Sequence, residues 1–125
     1  MSELRKKILT AVDLTSEVVD VPEWDAKLEI RGMTGAERAK FMRRIYNQQK
    51  GEVIWEHLYP ELLIATAYDP DSGEKVFEDA DRDVLNTKAG RVLDRLGGVA
   101  QKLSGLGSEA EAVGFLPPIL NSDST

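Results

Sequence analysis

The chain has no cysteine, a single histidine and few aromatic residues, 6% of its 125 positions. Without cysteine there is no disulfide framework, no thiolate zinc site and no cysteine nucleophile. One histidine, His57, excludes any site that needs two imidazoles. No apolar run approaches the roughly 18–20 residues of a membrane span. The basic stretch Arg5-Lys6-Lys7 has no long apolar region or cleavage site behind it, so a secretory signal is not expected. The expected compartment is a cytoplasm. Positive charge is also short: 16 Lys and Arg stand against 22 Asp and Glu, a formal net charge of −6. Residues 1–62 are nearly balanced, and most of the excess lies in residues 63–125, notably in Asp69, Asp71, Glu74, Glu78, Asp79, Asp81 and Asp83. Such a balance argues against backbone-driven binding to nucleic acid.

What is present is ordinary for a soluble globular chain, 42% hydrophobic and 30% charged. The length suits one domain, which at this size buries roughly two-thirds of its unfolded surface. Leu4, Ile8, Leu9 and Val12 are spaced for a short helix with one apolar side, giving an N-terminal helical arm over residues 1–16. Residues 17–21 and 27–31 read as strands, with Leu28 and Ile30 alternating with charges. Pro22 to Ala26 supplies the turn of a β-hairpin. Thr34-Gly35-Ala36-Glu37 is a capping box, and it predicts a helix to about Lys50 that buries Phe41, Met42, Ile45 and Tyr46. Gly51 marks its stop.

A second helix is expected from Glu52, with a kink or restart at Pro60. Ile64 to Tyr68 fits helix end or strand. Asp69-Pro70-Asp71-Ser72-Gly73 is turn chemistry and predicts a second hairpin, joining Thr66–Tyr68 to Lys75–Phe77. Asp79 can cap a short helix over 80–86, and Thr87 a last helix over 88–104. The stripe of that helix is Val92, Leu93, Leu96, Val99, Ala100 and Leu103. Gly97 and Gly98 interrupt it, marking a bend or the close approach of another backbone. Beyond residue 106, glycine, Pro117-Pro118 and polar residues predict a mobile tail over 107–125. The fold class is thus α+β: a mainly helical single domain, one or two small hairpins and a C-terminal tail.

Catalytic chemistry finds little support. Gly105-Leu106-Gly107 loosely matches a dinucleotide-binding turn but follows a helix instead of a strand, so it reads as a helix stop. The Asp69–Gly73 segment starts like a calcium loop, yet Ala80 stands where the bidentate Glu is required. His57 and Glu61 are helical neighbours without a nearby third ligand. No enzyme activity, metal or cofactor is expected. Two surfaces are candidates for partners. Arg38, Lys40, Arg43 and Arg44, with Lys50, form a charged face suited to an acidic partner or to a sister subunit's 69–83 segment. Val92, Leu93, Leu96, Val99 and Leu103, with Leu116 and Ile119 of the tail, form an apolar surface for a partner helix; the alternative for the 92–103 stripe is the core. Trp24 and Trp55 are open between core anchor and interface.

The ordered segments carry a resemblance. Val21-Pro22-Glu23-Trp24, then Lys27 to Arg38 with Met33-Thr34-Gly35-Ala36-Glu37-Arg38, and Phe41, resemble the opening of tail assembly chaperones of long-tailed, siphovirus-like bacteriophages. Tyr68-Asp69 through Gly73 to Val76-Phe77 and Asp79-Ala80-Asp81 resemble their middle. Val92 to Leu96 with Val99 to Leu106 resemble their end, so the likeness runs over residues 17–106. Gly97-Gly98 and Pro60 depart from the pattern. The resemblance implies a non-enzymatic chaperone that binds the tape measure protein and keeps it soluble. It also implies assistance to the tail tube protein's polymerisation, with self-association as a further expectation. Such a protein works in the host cell cytoplasm during viral morphogenesis and is absent from the virion. The alternative is a structural head–tail joining or tail-completion subunit.

Overall fold

The computed structural model describes residues 2–106. Helix α1 (Glu3–Thr10) starts where the Ser2 hydroxyl accepts from the Arg5 amide at 3.1 Å. All of its residues are exposed, and it stands as an arm ahead of the sheet. Strands β1 (Ser16–Val21) and β2 (Ala26–Arg31) form the expected antiparallel hairpin, with Val19 opposite Leu28 and Val21 opposite Ala26. A 3-10 turn over Pro22–Trp24 closes it, and Asp25 takes a left-handed φ of 48°. Leu28 and Ile30 point into the core while Lys27 faces water, the alternation a half-buried strand requires.

Helix α2 (Gly35–Ile45) opens on the expected capping box: Glu37 N donates to Thr34 Oγ1 at 3.1 Å, and Thr34 N donates to Glu37 Oε1 at 2.9 Å. It stops five residues before Lys50. The side chain of Asn47 accepts from the amides of Gln49 and Lys50 at 3.0 and 3.2 Å, offering the backbone a turn in place of helical bonds. The chain therefore reverses through Gly51 (φ 67°) in a short ladder of β3 (Tyr46–Asn47) and β4 (Glu52–Val53).

Helix α3 (Trp55–Thr66) accordingly begins three residues later than Glu52, and it runs unbroken through Pro60. Proline removes the amide that would bond the Glu56 carbonyl. That carbonyl is bonded instead by the Asn86 side chain, whose Nδ2 donates to it at 2.7 Å, so no kink is needed to solvate it. After Thr66 the chain becomes β5 (Ala67–Tyr68), which pairs antiparallel with β2 and places β2 centrally in a three-stranded sheet with β1 at its edge. The second hairpin is minimal. A single bridge, Tyr68 to Lys75, and the Val76 amide on the Ala67 carbonyl join its arms.

Two caps differ from expectation. Glu78, not Asp79, caps the 3-10 turn Asp79–Asp81 that leads into α4 (Arg82–Leu85), because the Asp79 carboxylate is drawn to Arg44. Thr87 turns back to donate to the Val84 carbonyl at 2.6 Å, so α5 (Gly90–Leu103) starts later and without a side-chain cap. Helix α5 ends in a Schellman motif: Leu106 N donates to the Gln101 carbonyl and Gly105 N to that of Lys102, with Gly105 at φ 74° and Leu106 buried. Gly105 is thus a helix stop, as its position after a helix implies.

The core lies between β2, α2, α3 and α5. Helix α3 is its centre, burying Leu58, Leu62, Leu63 and Ile64 on different sides, as a helix enclosed by neighbours must. Helix α5 lays Val92, Leu93, Leu96 and Ala100 against it. At roughly 1.5–3 kcal/mol per buried aliphatic side chain, this seam is a leading source of cohesion. Trp24 is half-buried against the same core. At Gly32 the backbones meet: a Cβ there would lie 2.5 Å from the Leu103 carbonyl oxygen.

The adjacent glycines of α5 separate in role. A Cβ on Gly97 would overlap the Tyr59 ring, which is held by a 2.8 Å hydrogen bond from its hydroxyl to Asp94; a Cβ on Gly98 would meet open space. Neither bend nor foreign backbone explains Gly97; it makes room for an aromatic ring of α3. Gly98→Ala is expected to raise unfolding stability by up to about 1 kcal/mol through helix propensity alone. Gly97→Ala is expected to lower it by about 1–3 kcal/mol, because the ring must shift. Urea titration of the two variants checks both signs.

Candidate functional site

Two features stand out once the core is assigned: a network of charges under the acidic segment, and apolar side chains left in water. The network begins with Glu61. Position 61 falls on α3 between Leu58 and Leu62, so its carboxylate is only 3% exposed. A carboxylate so placed needs compensation, and two arginines supply it. Arg82 of α4 bonds Glu61 Oε1, and Arg44 of α2 reaches Oε2 at 3.4 Å. Arg44 also binds Asp79 through both guanidinium nitrogens, at 2.8 and 3.3 Å. His57 Nδ1 donates to the Arg44 carbonyl at 3.2 Å. His57 therefore ties the start of α3 to the end of α2. Among the described residues no cluster of three or more His, Asp or Glu is placed to hold a metal. No described helix is long and apolar enough to cross a membrane.

The charged face of α2 is divided by this network. Arg44 faces inward to Glu61 and Asp79, so the pairing with the 69–83 segment expected between subunits occurs within one chain. Buried Glu61 draws Arg44 in, although its side chain stays 31% exposed. Lys40 and Arg43 are exposed, and Arg38 is half-buried beside Gly105.

The apolar stripe of α5 takes the second of its two alternatives, the core. Val92, Leu93 and Leu96 are buried and form the seam with α3, while Val99 and Leu103 are half-buried at its margin. In this fold the first three have no surface left for a partner. Leu116 and Ile119 lie outside the described residues. The apolar side chains that do face solvent are elsewhere. Leu4, Ile8, Leu9, Val12, Leu14 and Val18 all belong to the arm and the edge strand, with Leu4 67% and Val12 94% exposed. Asp13 and Leu14 at the base of the arm line a shallow groove with Met33, Thr34, Leu103 and Gly105. The spacing of Leu4, Ile8 and Leu9 marked an apolar helix side. Only the tertiary structure leaves it uncovered. Trp55 and Val84 are exposed as well, on α3 and α4.

No protein-family model matches the sequence, and no curated protein sequence is similar to it. A solved structure does match: that of the bacteriophage HK97 tail assembly chaperone, with a TM-score of 0.57 and 23% sequence identity. The match covers 82% of this chain and 95% of that one. At this identity the likeness establishes a common fold.

The charge network yields a pH dependence. The hydrogen bond from Arg44 holds the Asp79 carboxyl below its ordinary 3.8, and the one from Arg95, at 2.6 Å, lowers Glu23. Each group binds its proton less tightly folded than unfolded. The stabilisation is thus full above about pH 5 and drains away as pH falls through the lowered values. Asp79→Asn is expected to flatten part of this acid limb and to change stability at pH 7 only slightly, since the pair is on the surface. Glu61→Ala is expected to cost up to about 3 kcal/mol at pH 7, because it removes the buried partner of two arginines and leaves them only Asp79. Chemical denaturation at pH 3 to pH 7 distinguishes the two.

Proposed function

We propose that this chain is a tail assembly chaperone of a long-tailed bacteriophage, which binds the tape measure protein and keeps it soluble until the tail tube polymerises around it. The observation that carries the reading is the fold: the HK97 tail assembly chaperone shares it over nearly its whole length, and the resemblance of the motifs at residues 17–106 points the same way. The physical properties suit the task. A client rich in amphipathic helices needs apolar surface offered by a carrier that does not itself precipitate. Here apolar side chains are concentrated on a short arm, while the net charge of −6 opposes aggregation.

In this reading the client surface is Leu4, Ile8 and Leu9 of α1, continued by Leu14 and the half-buried Leu103 in the groove at its base. Leu116 and Ile119, which follow in the sequence, are further candidates for client contact. The protein acts by binding, without catalysis, in the host cytoplasm, and is left out of the particle. The tail tube protein is the second partner of this assembly step.

Co-expression with the tape measure protein encoded nearby tests the proposal. The client is expected to become soluble and to co-purify with the wild-type chain, and Leu4→Asp with Ile8→Asp is expected to abolish both effects while leaving the circular dichroism of the domain unchanged. A client that stays insoluble, or this chain at structural stoichiometry in purified particles, overturns it.

A further inference from the structure

The three-stranded sheet has one open edge. Strand β2 is flanked on both sides, while β1 pairs only with β2 among the described residues. In an antiparallel ladder, alternate residues turn their amide and carbonyl toward the partner strand and the others turn theirs away. Two sets of bonds fix that phase here. Gly32 N donates to the Thr15 carbonyl at 2.9 Å, so Thr15 faces β2, and with it every second residue, Glu17, Val19 and Val21. On the far side, the Ala67 carbonyl and the Asp69 amide are bonded to Val76 and Glu74, which leaves Tyr68 to face Glu29. Glu29 therefore turns away from Val18, its opposite number on β1. Ser16, Val18 and Asp20 consequently direct their amides and carbonyls out of the sheet, and all three residues are exposed. Edges of this kind are commonly blunted by proline, lysine, a bulge or a very short strand. Strand β1 has none of these: its six residues keep a continuous register and include three valines.

We propose that this edge is a docking site for an extended, basic segment of the client, which adds to the sheet as a further strand beside β1. The inference rests on the proposed function and specifies how the client is held beyond the arm. Main-chain bonds to Val18 and its outward-facing neighbours supply affinity that does not depend on the client's side chains, so the edge tolerates variation in the segment it takes. Charge selects the occupant. Strand β1 carries Glu17 and Asp20 and no cation, which favours a partner strand bearing Lys or Arg. A second copy of β1 would instead bring two sets of Glu17 and Asp20 to one edge. The chain's own apolar stretch at 115–120 contains Pro117 and Pro118, which have no amide to give a ladder. The arm leads into β1 through residues 11–15, so a client helix lying on Leu4 and Ile8 can run on as a strand along Val18.

Amide exchange read residue by residue in the full chain, free and bound to a tape measure fragment that co-purifies with it, tests the proposal. The amides of Val18 and Asp20 are expected to exchange quickly in the free chain and slowly in the complex, while those of Val19 and Val21 stay slow in both. Contact of side chains alone would not produce that alternation. Val18→Pro removes one outward amide and leaves the bonds to β2 in place, as proline at an edge strand allows. It is expected to weaken client binding at least about tenfold with unchanged circular dichroism, whereas Val18→Thr, which keeps the amide, binds like the wild type. Glu17→Lys with Asp20→Lys is expected to weaken binding as well, by setting like charge against a basic strand. Val18 and Asp20 amides that exchange as fast in the complex as in the free chain overturn the inference, and so does a folded Val18→Pro variant that binds like the wild type; both leave the client-binding role itself standing. Should Val18→Pro unfold the hairpin, exchange in the wild type decides alone. Undiminished binding by the Glu17→Lys, Asp20→Lys variant overturns the basic occupant. A wild-type chain that captures no tape measure fragment overturns this inference together with the function it rests on.

Discussion

Helix α3 is enclosed on nearly every side, and one of its enclosed positions is a carboxylate. The rest of the architecture is arranged around that constraint. Glu61 cannot be left in the interior uncompensated, so an arginine from α2 and another from α4 converge on it. Arg44 then holds Asp79, which fixes the acidic segment against the body. Through these four charged side chains, the short α4 and the acidic segment are attached to the helix at the centre of the core. On its other side α3 takes the apolar seam of α5, with Gly97 cleared for the Tyr59 ring. The domain is thus held by apolar packing on both flanks of α3, with ion pairs added on one, and acid weakens only the ion pairs.

Local signals were readable where one residue's chemistry decides the backbone alone. The Thr34 capping box, the alternation of Leu28 and Ile30, and the Pro22–Asp25 turn fall where the sequence places them, because each is satisfied within a few residues. The misjudged boundaries share a different cause. Pro60 reads as a break, yet the carbonyl it orphans is closed by Asn86, thirty positions away. Asp79 reads as a cap, yet Arg44 claims its carboxylate. Helix α2 reads as five residues too long because Asn47 competes for the amides of its extension. A distant partner leaves no periodic trace.

The candidate surface shows the same limit. The 3–4 spacing of Val92, Leu93 and Leu96 and that of Leu4 and Ile8 are equivalent signals of an amphipathic helix. Which of them is covered depends on what packs against it, and α3 covers the first. A small domain with one core can spend only so many apolar faces inside. The longer helix takes that place, and the eight-residue arm is left to the solvent. Partner binding, in the proposed reading, is assigned to what the core does not use.

Hydrogen exchange of the dilute chain, free and bound to a tape measure segment, tests that division most directly. The amides of α3 and α5 are expected to be protected in both states, with those of residues 3–10 exchanging freely alone and gaining protection in the complex. Protection gained on α5 while α1 stays open would mean that the seam separates to receive the client, and would contradict the account.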